Sequence, residues 1–263
     1  MKAGFALILW HTSKFPLKTI RAARITMTST GKITLVAGGT GGLGQAVSLA
    51  FLQEGARLMV TYLNDQEFAG LQRAAGANSP RLAGCKVDVT DETAVQQLVD
   101  GIVAEHGRLD ILVNTVGGYA GGIKLWELET RVFDRMLALN LRAGFMLARE
   151  AVKAMLPQRK GIIINVAAKA ALDHAAGASA YAASKAAALA LMDSLAEDLK
   201  GSGVRVNSIL PSIIDTEANR KAMPGADFAK WPKPEDIARV ILFLCSEDAG
   251  VIHGAAIPVY GEN

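Results

Sequence analysis

Tyr181 and Lys185 stand four residues apart in the alanine-rich stretch Ser179-Ala180-Tyr181-Ala182-Ala183-Ser184-Lys185. On a helix, that spacing raises both side chains from one face. A phenol is a poor acid near neutral pH, but an ammonium beside it favours the phenolate. The pair is therefore expected to bring the tyrosine hydroxyl toward the range of useful proton transfer. A second chemistry-bearing group is the run Gly38-Gly39-Thr40-Gly41-Gly42-Leu43-Gly44, which follows the apolar stretch 33–37 and opens an apolar helical one. Glycine permits a tight turn and lets backbone approach a pyrophosphate, while the new helix offers free N–H groups and its positive dipole end. Strand, turn and helix in that order predict a dinucleotide cradle.

Elements that would position these groups alternate regularly from Lys32 onward. Short β-branched runs at 33–37, 57–62, 83–87, 111–113, 161–166, 204–209 and 256–259 read as seven strands, mostly continuous in apolar character. Amphipathic stretches at 42–53, 92–106, 131–156, 180–200 and 234–245 read as helices. Pro157 is expected to end the third of these and Gly201 the fourth. The pattern predicts an α/β fold, a doubly wound Rossmann arrangement of seven parallel strands with helices on both faces, as one domain over 31–263. Residues 213–234 form the one long irregular connection, a length that points to a lid or binding loop.

Composition narrows the functional classes. Half of the 263 residues are hydrophobic (51%) and 20% are charged, as in a globular protein with a large interior. The formal charge of +3 is unevenly placed: residues 1–30 carry Lys2, Lys14, Lys18, Arg21 and Arg24 and no acid, so the remainder has a net charge of −2. A nearly neutral body argues against nucleic acid or an anionic membrane as partner. Segment 1–30 reads as an extension outside the fold, disordered or spurious, with Met27 as an alternative start. Its apolar run 3–10 is short for a targeting leader. No later stretch is long and apolar enough to span a bilayer, and a cytoplasmic protein is expected. Cys85 and Cys245 lie far apart in apolar segments and read as packed thiols, and the four histidines show no ligand spacing, so no metal is expected.

In family order, Gly38-x-x-x-Gly42-x-Gly44, Asp88 after Val87, Asn114 with Gly117, Asn140, Tyr181-x-x-x-Lys185 and Pro211-x-x-x-x-Thr216 resemble the landmarks of the short-chain dehydrogenase/reductase family over residues 31–261. The resemblance implies catalytic roles for Tyr181, Lys185 and Asn140. It places a nicotinamide nucleotide against Gly38, Thr40, Gly42, Leu43, Gly44, Tyr62, Asn64, Asp88, Val89, Asn114, Gly117, Lys185, Pro211 and Thr216. It also implies a homodimer or homotetramer. An acid ending the second strand would select the free 2′-hydroxyl of NAD. Tyr62 stands there, so the reading leans to NADP(H), with Asn64 as a polar contact.

One departure bears on substrate. Thirteen residues before Tyr181 most members carry a serine that donates to a substrate carbonyl, and this chain has Ala168. Losing such a donor typically costs about 10²- to 10³-fold in carbonyl chemistry. Gly117-Gly118-Tyr119-Ala120-Gly121-Gly122, the turn from Ala168 to Asp173 and the run from Asn219 to Trp231 resemble the dihydropteridine-reducing branch of the family. That resemblance implies a quinonoid dihydropteridine or similar conjugated ring as substrate, held by Gly118, Tyr119, Ala168, Asn219, Met223 and Trp231. Two alternatives stand beside it: a carbonyl reductase lacking the serine, and a non-catalytic dinucleotide-binding sensor.

Overall fold

A computed structural model describes residues 29–262, so the expectation for the extension falls almost wholly outside the described residues. Seven parallel strands, β1 (Ile33–Ala37), β2 (Arg57–Tyr62), β3 (Leu82–Lys86), β4 (Ile111–Asn114), β5 (Gly161–Val166), β6 (Val204–Pro211) and β7 (Ala256–Val259), lie in the order β3-β2-β1-β4-β5-β6-β7. The order reverses between β1 and β4, which opens a crevice at the carboxyl ends of the strands.

Continuous apolar strands need cover on both faces. Helices α3 (Glu92–His106), α5 (Ala143–Gln158) and α6 (Ser179–Asp198) bury one, packing Leu98, Leu147 and Met192 against Leu35, Leu112 and Ile163. On the other, α1 (Gly42–Gln53), α2 (Asp65–Ala75) and α8 (Pro234–Leu244) pack Phe51, Leu71 and Ile241 against Val36, Val60 and Val113. Two short helices complete the fold, α4 (Thr130–Leu137) and α7 (Glu217–Ala222).

Several boundaries differ from the sequence reading. The single helix expected over 131–156 is α4 and α5 joined by a π-helical stretch, Ala138–Arg142, which contains the buried Asn140. Such single-turn π segments place a side chain out of register with the surrounding α-helix. Pro157 does not end α5. It falls in the final turn, and the stop comes at Arg159, whose φ of 51° is left-handed. Helix α2 stands outside the helices expected from sequence, although Phe68, Leu71 and Ala75 share its inner face; Asn64 caps it by accepting from the Gln66 N–H at 2.8 Å. The connection 213–234 is less irregular than expected, for it contains α7 and a 3₁₀ turn, Phe228–Lys230.

Candidate active site

The glycine turn closes on itself. Gly38 has φ 74°, and the Gly41 N–H donates to its carbonyl at 3.1 Å. A Cβ on Gly44 would lie 2.0 Å from that same carbonyl oxygen, so only glycine allows the turn to meet α1 this closely. Gly41 caps α1 without a side-chain bond, and a Cβ there would meet only the Gly38 oxygen, at 3.5 Å. An open backbone surface at a helix start is what a pyrophosphate requires. The residues present therefore fit a dinucleotide. Thr115 holds the base of the cradle, donating to the carbonyls of Ala37 (2.7 Å) and Gly38 (3.1 Å). Thr216 closes it from the far side: a Cβ on Gly42 would lie 2.8 Å from its Cγ2.

At the end of β4, buried Asn114 accepts from the Val116 N–H at 3.2 Å and donates to the Asn165 oxygen at 3.3 Å. Its loop then runs past Asn140, whose side chain grips the Gly118 backbone at both ends: Oδ1 accepts from the Gly118 N–H (2.8 Å) and Nδ2 donates to the Gly118 carbonyl (3.0 Å). Nδ2 also donates to the Ser184 hydroxyl at 2.9 Å, which ties the loop to α6. Ser184 was not singled out in the sequence, although its place beside Lys185 put it on the same helix. A Cβ on Gly117 would come within 2.9 Å of Asn140 Oδ1 and 3.1 Å of Lys185 Nζ, so asparagine, lysine and loop backbone meet at one point.

Lys185 is 5% exposed and donates from Nζ to the Val166 carbonyl at 2.9 Å. Burial lowers its pKa to about 8. Tyr181 is partly buried on the same helix, and its ring meets that of Tyr119 edge-on at 5.0 Å. The expectation that the lysine pulls the phenol toward neutrality is not met. Burial, and secondarily Tyr119, push Tyr181 up to about 12. Lys185 is itself desolvated, with one N–H donating to the Val166 carbonyl, so burial decides the state of both groups. Burial thus favours the neutral form of both groups, Tyr181 as a phenol and Lys185 as an amine near its titration point.

Other predicted site residues are more dispersed. Asp88 accepts from Thr90 through both its N–H (2.9 Å) and its hydroxyl (2.7 Å), fixing the turn after β3, while Val89 is buried. Leu43 and Pro211 are buried wall residues. Tyr62 stacks on Phe68 with centroids 4.6 Å apart, and Asn64 spends its carbonyl oxygen capping α2. Ala168 is buried at 6% exposure at the end of β5, with no donor to offer.

On the connection after β6, Asn219 Nδ2 donates to the Ile214 carbonyl at 2.8 Å and Met223 is half-buried at the end of α7. Trp231 is 5% exposed against Phe228, which in turn lies under the Arg220 guanidinium. Arg220 pairs with both carboxylate oxygens of Asp215. Trp231 thus anchors the connection internally, whereas Tyr119 is 71% exposed and meets the Tyr181 ring.

Residues 32–227 match the short chain dehydrogenase family. The 3-oxoacyl-[acyl-carrier-protein] reductase FabG of Thermotoga maritima is 30% identical over 88% of this chain and 97% of its own length. D-threitol dehydrogenase of Mycolicibacterium smegmatis is 34% identical over 88% of this chain and 92% of its own. Among solved structures, ElxO with NADP bound superposes with a TM-score of 0.83 at 26% identity, covering 88% of this chain and 98% of that one. A short-chain dehydrogenase/reductase from Serratia marcescens does so with a TM-score of 0.81 at 33% identity, covering 89% and 98%. Glycine cradle, buried asparagine and tyrosine–lysine pair thus sit in a chain that matches throughout its fold, and the protein belongs to the short-chain dehydrogenase family, as an NAD(P)-dependent oxidoreductase.

Proposed function

We propose that this oxidoreductase reduces a flat conjugated ring, with a quinonoid dihydropteridine as the first substrate to test. One observation carries the reading: the cleft presents an exposed aromatic ring, Tyr119, against Tyr181, while position 168 is alanine. A quinonoid pterin is a conjugated imine system that takes a hydride and a proton and leaves no alkoxide for a hydroxyl donor to stabilise. A nicotinamide nucleotide held along the glycine turn, Asp88, Asn114, Gly117 and Lys185 would supply the hydride.

The chain's own residues do the rest. Tyr181 holds the transferable proton on its hydroxyl, and its raised pKa keeps that proton in place until substrate arrives. Lys185, with a pKa near 8, can return a proton to the tyrosine after transfer. Asn140 positions the Gly118 backbone and so fixes the loop that carries Tyr119. Absence of an acid at position 62 and the NADP-bound ElxO neighbour both support NADP(H) as the working nucleotide. Assembly as a homodimer or homotetramer through α5 and α6 belongs to the same reading, supported by the exposed Phe145 on α5.

A second reading, reduction of a ketone or oxidation of an alcohol without the serine, is favoured by the names of the relatives, a 3-oxoacyl reductase and a sugar-alcohol dehydrogenase. The two separate by rate. Freshly generated quinonoid dihydropterin should drive NADPH or NADH oxidation above the non-enzymatic background, and Ala168→Ser should leave that rate within about threefold. If pterin gives nothing and Ala168→Ser raises ketone turnover tenfold or more, the carbonyl reading replaces ours.

A further inference from the structure

Position 62 leaves this chain without the carboxylate that ends β2 in NAD-selective relatives of the dinucleotide fold. The structure nevertheless brings a carboxylate to the glycine turn from elsewhere. Helix α2 begins three residues past β2 and carries two acids in its first turn, Asp65 and Glu67. Asp65 is engaged with Lys86, whose Nζ lies 2.6 Å away. Glu67 instead reaches the turn itself: its Oε2 accepts from the Thr40 hydroxyl at 3.0 Å, across 27 residues of sequence. Among the described residues no lysine or arginine pairs with it.

Residues on either side of this contact are already committed. Tyr62 is turned onto Phe68, and Phe68 in turn fills the space over Gly84, where a Cβ would lie 2.3 Å from its ring. Asn64 caps the helix. Neither side chain competes with Glu67 for the turn.

We propose that Glu67 is the residue that discriminates between the two nicotinamide nucleotides, a carboxylate supplied by α2 in place of the one missing from β2. The inference rests on the reading of the glycine turn as a dinucleotide cradle. A carboxylate only accepts hydrogen bonds. It can take one from a free ribose hydroxyl, as it now takes one from Thr40. A 2′-phosphate has no proton to give it and carries like charge, so that group must both displace Glu67 from Thr40 and tolerate its repulsion. Glu67 therefore narrows the advantage that position 62 gives NADP(H) over NAD(H). The lean toward NADP(H) drawn from position 62 alone is correspondingly weaker than that position suggests.

Affinity is the direct test, because it needs no substrate. Dissociation constants of the full chain for NADPH and NADH are measured by nicotinamide fluorescence, for the native protein, Glu67→Gln and Glu197→Gln. Glu197 pairs with Lys200 near the far end of α6 from Tyr181, so its change removes a distant charge of the same kind. Glu67→Gln should shift the NADPH-to-NADH affinity ratio toward NADPH by about tenfold, the scale of one partly screened charge at close range. The shift should shrink as salt is raised, and Glu197→Gln should not produce it. An unchanged ratio in Glu67→Gln with both nucleotides bound, or an equal shift in Glu197→Gln, overturns the proposal. Failure of the native chain to bind either nucleotide would overturn the cradle reading and this inference with it.

Discussion

The Tyr119 ring meets the Tyr181 ring edge-on, with centroids 5.0 Å apart and planes inclined at 75°. The contact joins two elements far apart in sequence, the loop after β4 and the first turn of α6. It covers one side of the Tyr181 ring while leaving most of Tyr119 exposed. Edge-to-face pairs of this kind add about 0.5–1.5 kcal/mol beyond the area they bury. The loop is thus held at two adjacent residues, by Asn140 at Gly118 and by ring packing at Tyr119.

That relationship separates binding from chemistry. Tyr181→Phe keeps the ring contact and removes the proton, so turnover should fall by about 10²- to 10⁴-fold with nucleotide affinity unchanged. Tyr119→Ala should open Tyr181 to water and let its pKa fall from about 12 toward the ordinary phenol value. An alkaline limb of kcat that stays in place in Tyr119→Ala would mean that the ring does not control the phenol's surroundings.

The buried lysine carries a pH signature in stability. Its folded pKa, about 8, lies below the ordinary lysine value of 10.5, so between those values the unfolded chain binds the proton and the folded one does not. Stability should therefore rise as pH increases from about 8 toward 10.5. Tyr181 acts oppositely above pH 10: its folded pKa of about 12 keeps a proton the unfolded chain has lost, and stability should fall as pH rises through that window. Urea unfolding of the native chain and Lys185→Met at a series of pH values checks the first effect. An equal rise with pH in Lys185→Met would assign it to another group.

Gly44→Ala tests the cradle sterically. Its Cβ would sit 2.0 Å from the Gly38 carbonyl oxygen, a backbone atom with no rotamer to yield, so the turn must open for the chain to fold. Nucleotide affinity should drop by at least about 30-fold, equivalent to roughly 2 kcal/mol. Helical circular dichroism should persist, since α1 itself tolerates alanine. Unchanged affinity would show that the pyrophosphate lies elsewhere.

Trp231→Ala should act on stability. Trp231 is 5% exposed and packs on Phe228 at the end of the connection before α8. Removing a buried aromatic of this size typically costs about 3–5 kcal/mol. Thermal unfolding should show the loss, and proteolysis should cut first between 213 and 231. A Trp231→Ala protein of native stability with a raised substrate KM would instead make Trp231 a cleft residue.

Much of this architecture was legible because local chemistry demanded it. Continuous apolar strands alternating with amphipathic stretches could only bury themselves as a parallel sheet covered on both faces, and the order of glycines after β1 was legible as a cradle because a tight turn and a close backbone approach call for glycine. Tyr181 and Lys185 were legible as a pair because helical spacing alone puts them on one face. Tertiary contacts decided the rest. Asn140 reached its position through a π-helical stretch that no apolar periodicity marks, and Ser184 became its partner only when α6 packed beside the loop after β4. Tyr181 took a pKa shifted opposite to the sequence expectation because desolvation, which depends on the whole fold, decides it. Trp231 is buried against Phe228 while Tyr119 stays 71% exposed beside Tyr181, a difference that local sequence does not mark, since both are loop aromatics. Glu67 came to the glycine turn by folding alone, since a contact across 27 residues leaves no trace in local sequence.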